Sequence, residues 1–230
     1  MPAASIRARV RAEMTSEIKA VARRRLETEG ANLSLRAVAR DMGMVSSALY
    51  RYFASRDELL TALILDAYNA VGAAVEVADA AIADRGQLRA RWLAAARAVR
   101  SWALANPAEY ALLYGSPVPG YSAPQDTIAA AARTSTVLVQ ILADGYAAGA
   151  ISAPNRPLRL DTAVRADLAA VRDQIAPELP EELLLLGMTG WLQLFGTVSF
   201  ELFGQLNNVI EARSEFFEQQ MELQADLMGI

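Results

Sequence analysis

Apolar side chains recur at helical spacing along nearly the whole chain, and no stretch alternates in the period-two manner of a strand. From Val10 to Glu29, the residues Met14, Ile18, Ala22 and Leu26 fall on one face, Arg23, Arg24 and Arg25 follow closely, and Gly30 supplies a stop. A second helix is predicted from an N-cap at Ser34. Leu33 and Val38 form a hydrophobic staple there, Leu35, Val38, Ala39 and Met42 share a face, and Gly43 ends the run. A short third helix spans roughly Val45 to Tyr52. A fourth starts at Ser55, where Ser55 and Glu58 form a capping box, and it carries Leu59, Leu60, Leu63, Ile64 and Ala67 along one side. Longer and more apolar helices are predicted near 86–105, 107–114, 125–149, 159–175, 181–206 and 208–228. Pro107 opens one of them after an Asn106 N-cap. The segment Gly115–Pro124, the run Ala153–Pro157 and the pair Pro177 and Pro180 mark breaks. The fold expected is all-α: an N-terminal three-helix bundle over residues 1–56 and a larger C-terminal helical bundle over 57–230, joined by the continuous fourth helix.

Two short helices joined through Gly43 have the form of a helix-turn-helix over residues 34–53. In the third helix Val45, Ala48, Leu49 and Phe53 are assigned to the packing face, and Ser46, Ser47, Tyr50 and Arg51 to the opposite one, since 46/50 and 47/51 are i,i+4 pairs. That division suits a helix lying in the major groove. Arg36 could offer a donor pair to guanine, and Tyr50, Tyr52 and Arg56 suit phosphate oxygens. A generic three-helix cluster that binds another protein has the same spacing.

Charge favours nucleic acid. Residues 1–56 hold eleven Lys and Arg against five Asp and Glu, whereas the rest holds eleven against twenty-one, although the net formal charge of the whole is −4. A basic segment on an acidic body points to a polyanion at the N-terminal end. The 230 residues contain no cysteine and no histidine. This removes thiolate zinc sites, disulfides, cysteine nucleophiles and the Ser-His-Asp arrangement, and leaves only oxygen and amide groups for a metal. Asp57/Glu58 and Glu181/Glu182 read as first-turn helix charges, and no phosphate-cradling glycine loop is present, so neither enzyme activity nor a cofactor is expected. Leu183–Phe200 is eighteen residues without a charge. Gln193 interrupts it and glutamates bracket it, so it is read as buried protein and not a membrane span. With no secretory leader read at the N-terminus, the expected location is cytoplasmic.

Residues 34–60 resemble the DNA-binding signature of the TetR family of transcriptional regulators. The likeness rests on Val38-Ala39, Gly43, Leu49-Tyr50, Tyr52-Phe53, Ser55-Arg56 and Leu59-Leu60. It implies base-edge contacts at Arg36, Ser46 and Ser47, and phosphate contacts at Ser34, Tyr50, Tyr52 and Arg56, with Arg51 suited to either. One position departs from the pattern: Val45 stands where the family usually places a Ser or Thr N-cap, which leaves Ser46 as an alternative cap. Further along, Trp191-Leu-Gln-Leu-Phe195-Gly196 is similar to the Trp-x-x-x-His-Gly stretch of one class of family C-terminal domains, with Phe195 in the histidine's place. Trp102–Gly115 resembles the same class.

The resemblance further implies a homodimer through the last two helices, 181–206 and 208–228, on a pseudo-palindromic double-stranded operator. It also implies a small effector within the C-terminal helices, with Trp92, Trp102, Tyr110, Tyr114, Trp191 and Phe195 as candidate walls. The lack of histidine and the wealth of Leu and Ala point to an apolar or aromatic effector, and the resemblance implies a repressor that such a ligand releases.

Overall fold

The computed structural model describes residues 3–154 and 159–230, and these form ten helices. They are α1 (Ala3–Glu29), α2 (Leu35–Asp41), α3 (Ser46–Leu49), α4 (Arg56–Ala80), α5 (Leu88–Ala105), α6 (Pro107–Tyr114), α7 (Thr127–Ala147), α8 (Thr162–Ile175), α9 (Glu181–Leu202) and α10 (Arg213–Met228). No strand occurs among the described residues, as the periodicity predicted. The break read at Ala153–Pro157 lies partly outside the described residues.

Most helix ends fall where the local chemistry puts them. Gly30 and Gly43 take the left-handed conformation, at φ +56° and +65°, which a side chain would strain. At the start of α4, Ser55 Oγ accepts a bond from the Glu58 amide at 3.1 Å. The Glu58 carboxylate reaches back to the amide of Ala54, one residue before the N-cap. Some ends differ from expectation. α1 begins seven residues before Val10, because Ala and Arg extend a helix without needing an apolar stripe to signal it. The gap before the last helix is wider than predicted: α9 stops at Leu202 and α10 starts at Arg213. Gly204 at φ +81° and Asn208 at φ +61° turn the backbone out of the right-handed region between them.

Packing divides the chain into two compact units: Met1–Asn69 with Asn106–Ala130, and Ala70–Ala105 with Ala131–Ile230. In the first, Ile18, Ala22 and Leu26 of α1 meet Val38, Ala39, Leu49, Phe53, Leu59, Leu60 and Leu63. Leu112, Val118 and Tyr121 pack against this core, and the Tyr121 hydroxyl lies 2.9 Å from Thr61 Oγ1. Ion pairs fasten α1: the Lys19 ammonium lies 2.7 Å from Asp66, Arg23 joins Asp66 and Glu109, and Arg25 grips Asp41 at 2.7 Å.

In the second unit α5, α9 and α10 pack together. The Trp92 indole donates to the Met221 carbonyl at 2.9 Å, and Gly190 allows the close approach: a Cβ there would stand 3.2 Å from the Trp92 ring. Arg91, fully buried, bridges Asp79 and Asp144, each at 2.8 Å. By length and composition α4 and α9 could each cross a membrane, yet only 39% of the most apolar window of each is buried inside the chain. The stretch 183–200, expected to be buried protein in a core or a subunit interface, is covered along part of its surface in the single chain. Leu183, Leu184, Leu194 and Val198 are buried, whereas Leu192 and Phe200 remain 60% and 55% exposed. A helix apolar all round needs a second partner surface.

Candidate nucleic-acid interface

The surface begins with how α2 and α3 are held. Leu35, Val38 and Ala39 bury one side of α2, while Leu49 and Phe53 anchor the α3 turn from below. Arg25 clamps the far end of α2 through Asp41, one guanidinium edge on two carboxylate oxygens at 2.7 Å each. This contact holds the Asp41 carboxyl below its ordinary range, the Arg25 hydrogen bond being the main cause.

α3 itself is a single turn, Ser46–Leu49, shorter than the predicted Val45–Tyr52. Past Leu49 the backbone tightens, with amide-to-carbonyl bonds from Arg51 to Ala48 and from Tyr52 to Leu49 at 3.2 and 2.9 Å. Val45 takes the N-cap position in extended geometry, φ −70° and ψ 138°, with no side-chain cap bond, so Ser46 is the first helical residue and not the cap. Val45 does not pack. Its assignment to the buried face fails because the cap residue points out of the turn it starts, and it is 71% exposed.

Of the eight residues singled out on the sequence, Ser34, Arg36, Ser47, Tyr50 and Arg51 are exposed, and Ser46, Tyr52 and Arg56 are half-buried. A surface cavity of about 490 Å³ gathers Ser34, Arg36, Tyr50 and Arg56 along with Leu35, Ala54 and Ser55. Arg56 is occupied otherwise than the sequence implied. Its Nε donates to the Leu33 carbonyl at 3.0 Å and its Nη2 to the Ala31 carbonyl at 2.6 Å, so it ties the loop ahead of Ser34 to the start of α4. Arg11 was missed: its guanidinium lies over the Tyr52 ring, 5.4 Å from the centroid. No local motif announces a contact across that span of sequence.

Internal pairing sorts the eleven N-terminal cations. Lys19, Arg23 and Arg25 are neutralised by carboxylates, Arg9 sits 3.4 Å from Glu13 at the surface, and Arg56 lies 3.6 Å from Asp57. Among the described residues no ion pair is found for Arg7, Arg11, Arg24, Arg36, Arg40 or Arg51, so the positive field that remains belongs to α1, α2 and the turn after α3.

The candidate effector walls are dispersed. Tyr110 and Tyr114 belong to the first unit, their ring centroids 5.0 Å apart, and burial pushes the Tyr114 hydroxyl well above its ordinary range. Trp92, Trp102, Trp191 and Phe195 belong to the second. Trp92 is buried core, and Trp191 stacks obliquely on Phe195 at 5.8 Å. Trp191 also lines an apolar cavity of about 190 Å³ with Leu138, Val139, Val171, Ile175, Leu184, Gly187, Met188 and Ser135. The α7 and α8 side chains in that wall gave no aromatic signal in the sequence.

A short helix and its following turn presenting hydroxyls and a guanidinium group, set on a packed scaffold and ringed by unpaired arginines, define a helix-turn-helix protein. Comparison carries this further. Residues 18–63 match the family described as bacterial regulatory proteins, tetR family, and residues 92–223 match the tetracyclin repressor-like C-terminal domain. The chain is 42% identical over 204 residues to the HTH-type transcriptional regulator Rv1816 of Mycobacterium tuberculosis, a span of 85% of this chain and 83% of that one. It is similar in structure to the regulatory protein SCO4313, at TM-score 0.78 and 35% identity over 95% of this chain and 98% of that one. A protein of Rhodococcus sp. RHA1 shares the fold at TM-score 0.67 and 24% identity, covering 94% and 93% of the two chains. The chain belongs to the TetR family of transcriptional regulators.

Proposed function

We propose that this protein is an operator-binding repressor that works as a homodimer and is released by a small apolar effector. The observation that carries the reading is the exposed polar face of α3 and its following turn. Ser47, Tyr50 and Arg51 stand outward there while Leu49 and Phe53 are buried. Residues 1–56 supply the DNA-binding part and 57–230 the effector and dimer part. Arg36, Ser46 and Ser47 face base edges, Ser34, Tyr50 and Tyr52 face phosphates, and Arg51 serves either. Arg56 shapes the loop that delivers Ser34. A DNA partner places the protein in the cytoplasm.

The dimer reading is supported by the apolar side chains that α9 and α10 leave exposed, Leu192, Phe200, Leu223 and Leu227. Two copies joined there would set recognition helices about 34–36 Å apart, one turn of B-DNA. The effector reading is supported by the cavity around Trp191 and Met188. Its walls offer one hydroxyl, Ser135, which already donates to the Ala132 carbonyl at 2.9 Å. A compact uncharged ligand fits such a surface better than an anion or a metal. Phe195, in the place of the histidine of the Trp-x-x-x-His-Gly class, is buried and packs its ring against Trp191, one of the cavity walls. A ligand that binds better to the state with widely spaced recognition helices lowers operator affinity by population shift.

The test is selection of random duplexes by the pure protein. An enriched inverted repeat supports the reading. Tight, salt-insensitive capture of a partner protein with no enriched DNA would favour a helical interaction module instead.

A further inference from the structure

We propose that the overhanging first turns of α1 are a second DNA contact, a basic arm in which Arg7 reaches phosphates beyond those met by the recognition helix. The proposal builds on the operator-binding reading. α1 starts at Ala3, yet its first residues to take cover are Met14 and Thr15, and its first fully buried one is Ile18. Residues 6–13 are all exposed, Ile6 and Val10 among them at 49% each. At 1.5 Å per residue, the turns ahead of Met14 project about 16 Å from the core. A free helix of that length is marginal in water. The overhang also lies outside the segment that matches the family, which begins at residue 18.

Charge and continuity name the occupant. From Ala3 to Ala12 the chain carries Arg7, Arg9 and Arg11 and no acid. Arg11 lies over the Tyr52 ring, in the turn that follows α3, so the face of α1 that bears Arg11 adjoins the recognition surface. Arg7 is one turn earlier on that same face, at i,i+4 spacing. Arg9 is turned about 160° from Arg11 around the helix, at 100° per residue, and pairs with Glu13. A polyanion that touches Tyr52 would therefore meet Arg11 and then Arg7, and a duplex carries the continuous row of phosphates that such a track can bind.

The experiment measures operator affinity against salt for the full chain and for Arg7→Ala, Arg7→Lys and Arg9→Ala. Each phosphate contact contributes about 0.9 to the slope of log affinity against log salt, so losing two in a dimer lowers it by about 1.8. Between 50 and 200 mM salt that difference amounts to about tenfold in relative affinity. Arg7→Ala is expected to lower the slope by that amount, on operator and scrambled duplex alike, with the selected motif unchanged. Arg7→Lys is expected to keep the slope, and so is Arg9→Ala. Alanine favours helix at least as well as arginine, so melting of the overhang does not explain a loss. A wild-type slope in Arg7→Ala would overturn the proposal, and so would equal losses in Arg7→Ala and Arg9→Ala, which would reveal net charge alone. Failure of the arm leaves wild-type operator selection intact, whereas absence of any selected motif overturns the operator-binding reading itself.

Discussion

Arg56→Ala separates two jobs that one arginine has been given. The family resemblance implies a phosphate grip, whereas the structure shows the guanidinium donating to the Leu33 carbonyl at 3.0 Å and the Ala31 carbonyl at 2.6 Å. A hydrogen bond from a charged donor contributes about 1.5–3 kcal/mol, and the low end applies to a side chain that is one-third exposed. Water re-satisfies the half-buried Ala31 site more readily than that of Leu33, which is 1% exposed. The net loss is then about 2 kcal/mol. For a chain of this size that lowers Tm by about 4–8 °C. Circular-dichroism melts read the stability, and operator affinity at several salt concentrations reads the DNA contact. A clamp predicts the drop in Tm with the salt slope unchanged. An unchanged Tm together with a slope reduced by about 0.9 per protomer would refute the clamp and restore the phosphate grip.

Three further outcomes follow from the same structure. Val45→Ser places a hydroxyl at an extended N-cap that has no side-chain bond, and nothing packed is lost, so urea denaturation should show a gain of about 0.5–1 kcal/mol. For Asp79, burial works to raise the carboxyl, but hydrogen bonds from Arg91 and Arg85 outweigh it and hold the group below its ordinary range. A depressed folded pKa contributes stability that is present above the ordinary carboxylate range and lost as pH falls through it. Asp79→Asn, which strips a partner from buried Arg91, should therefore cost about 3 kcal/mol at pH 7, with the gap to wild type narrowing in acid urea titrations. Val139→Phe fills the cavity beside Trp191; operator affinity should persist while release by an apolar effector is lost, read by anisotropy of a labelled operator.

What the sequence revealed follows from the range of the forces involved. Ser55 caps α4 through the Glu58 amide, Gly30 and Gly43 end helices through their positive φ, and Ser34 and Asn106 stand at the N-cap positions of α2 and α6 without a side-chain cap bond. The outward set at Ser47, Tyr50 and Arg51 follows from helical period alone. Val45 lies outside this logic: its apolar character implies burial, whereas a cap residue points away from the turn it begins. Contacts at long separation left no local mark: Arg56 to Ala31 and Leu33, Arg11 to Tyr52, and Trp92 to Met221. The gap from Leu202 to Arg213 was also hidden, since Phe203 and Leu206 continue an apolar pattern that Gly204 and Asn208 interrupt only through their backbone angles.

The central claim is that α3 and its turn read a two-fold operator. Selection and sequencing of random duplexes by the full-length protein, at 50 and 200 mM salt, tests it most directly. The expected result is an enriched inverted repeat whose half-site centres are one helical turn apart or a multiple of that, bound more weakly at the higher salt. Salt-sensitive retention of DNA with no enriched sequence would contradict it, leaving the arginines of α1, α2 and the turn after α3 as a charge patch and the exposed face of α3 without a reading role.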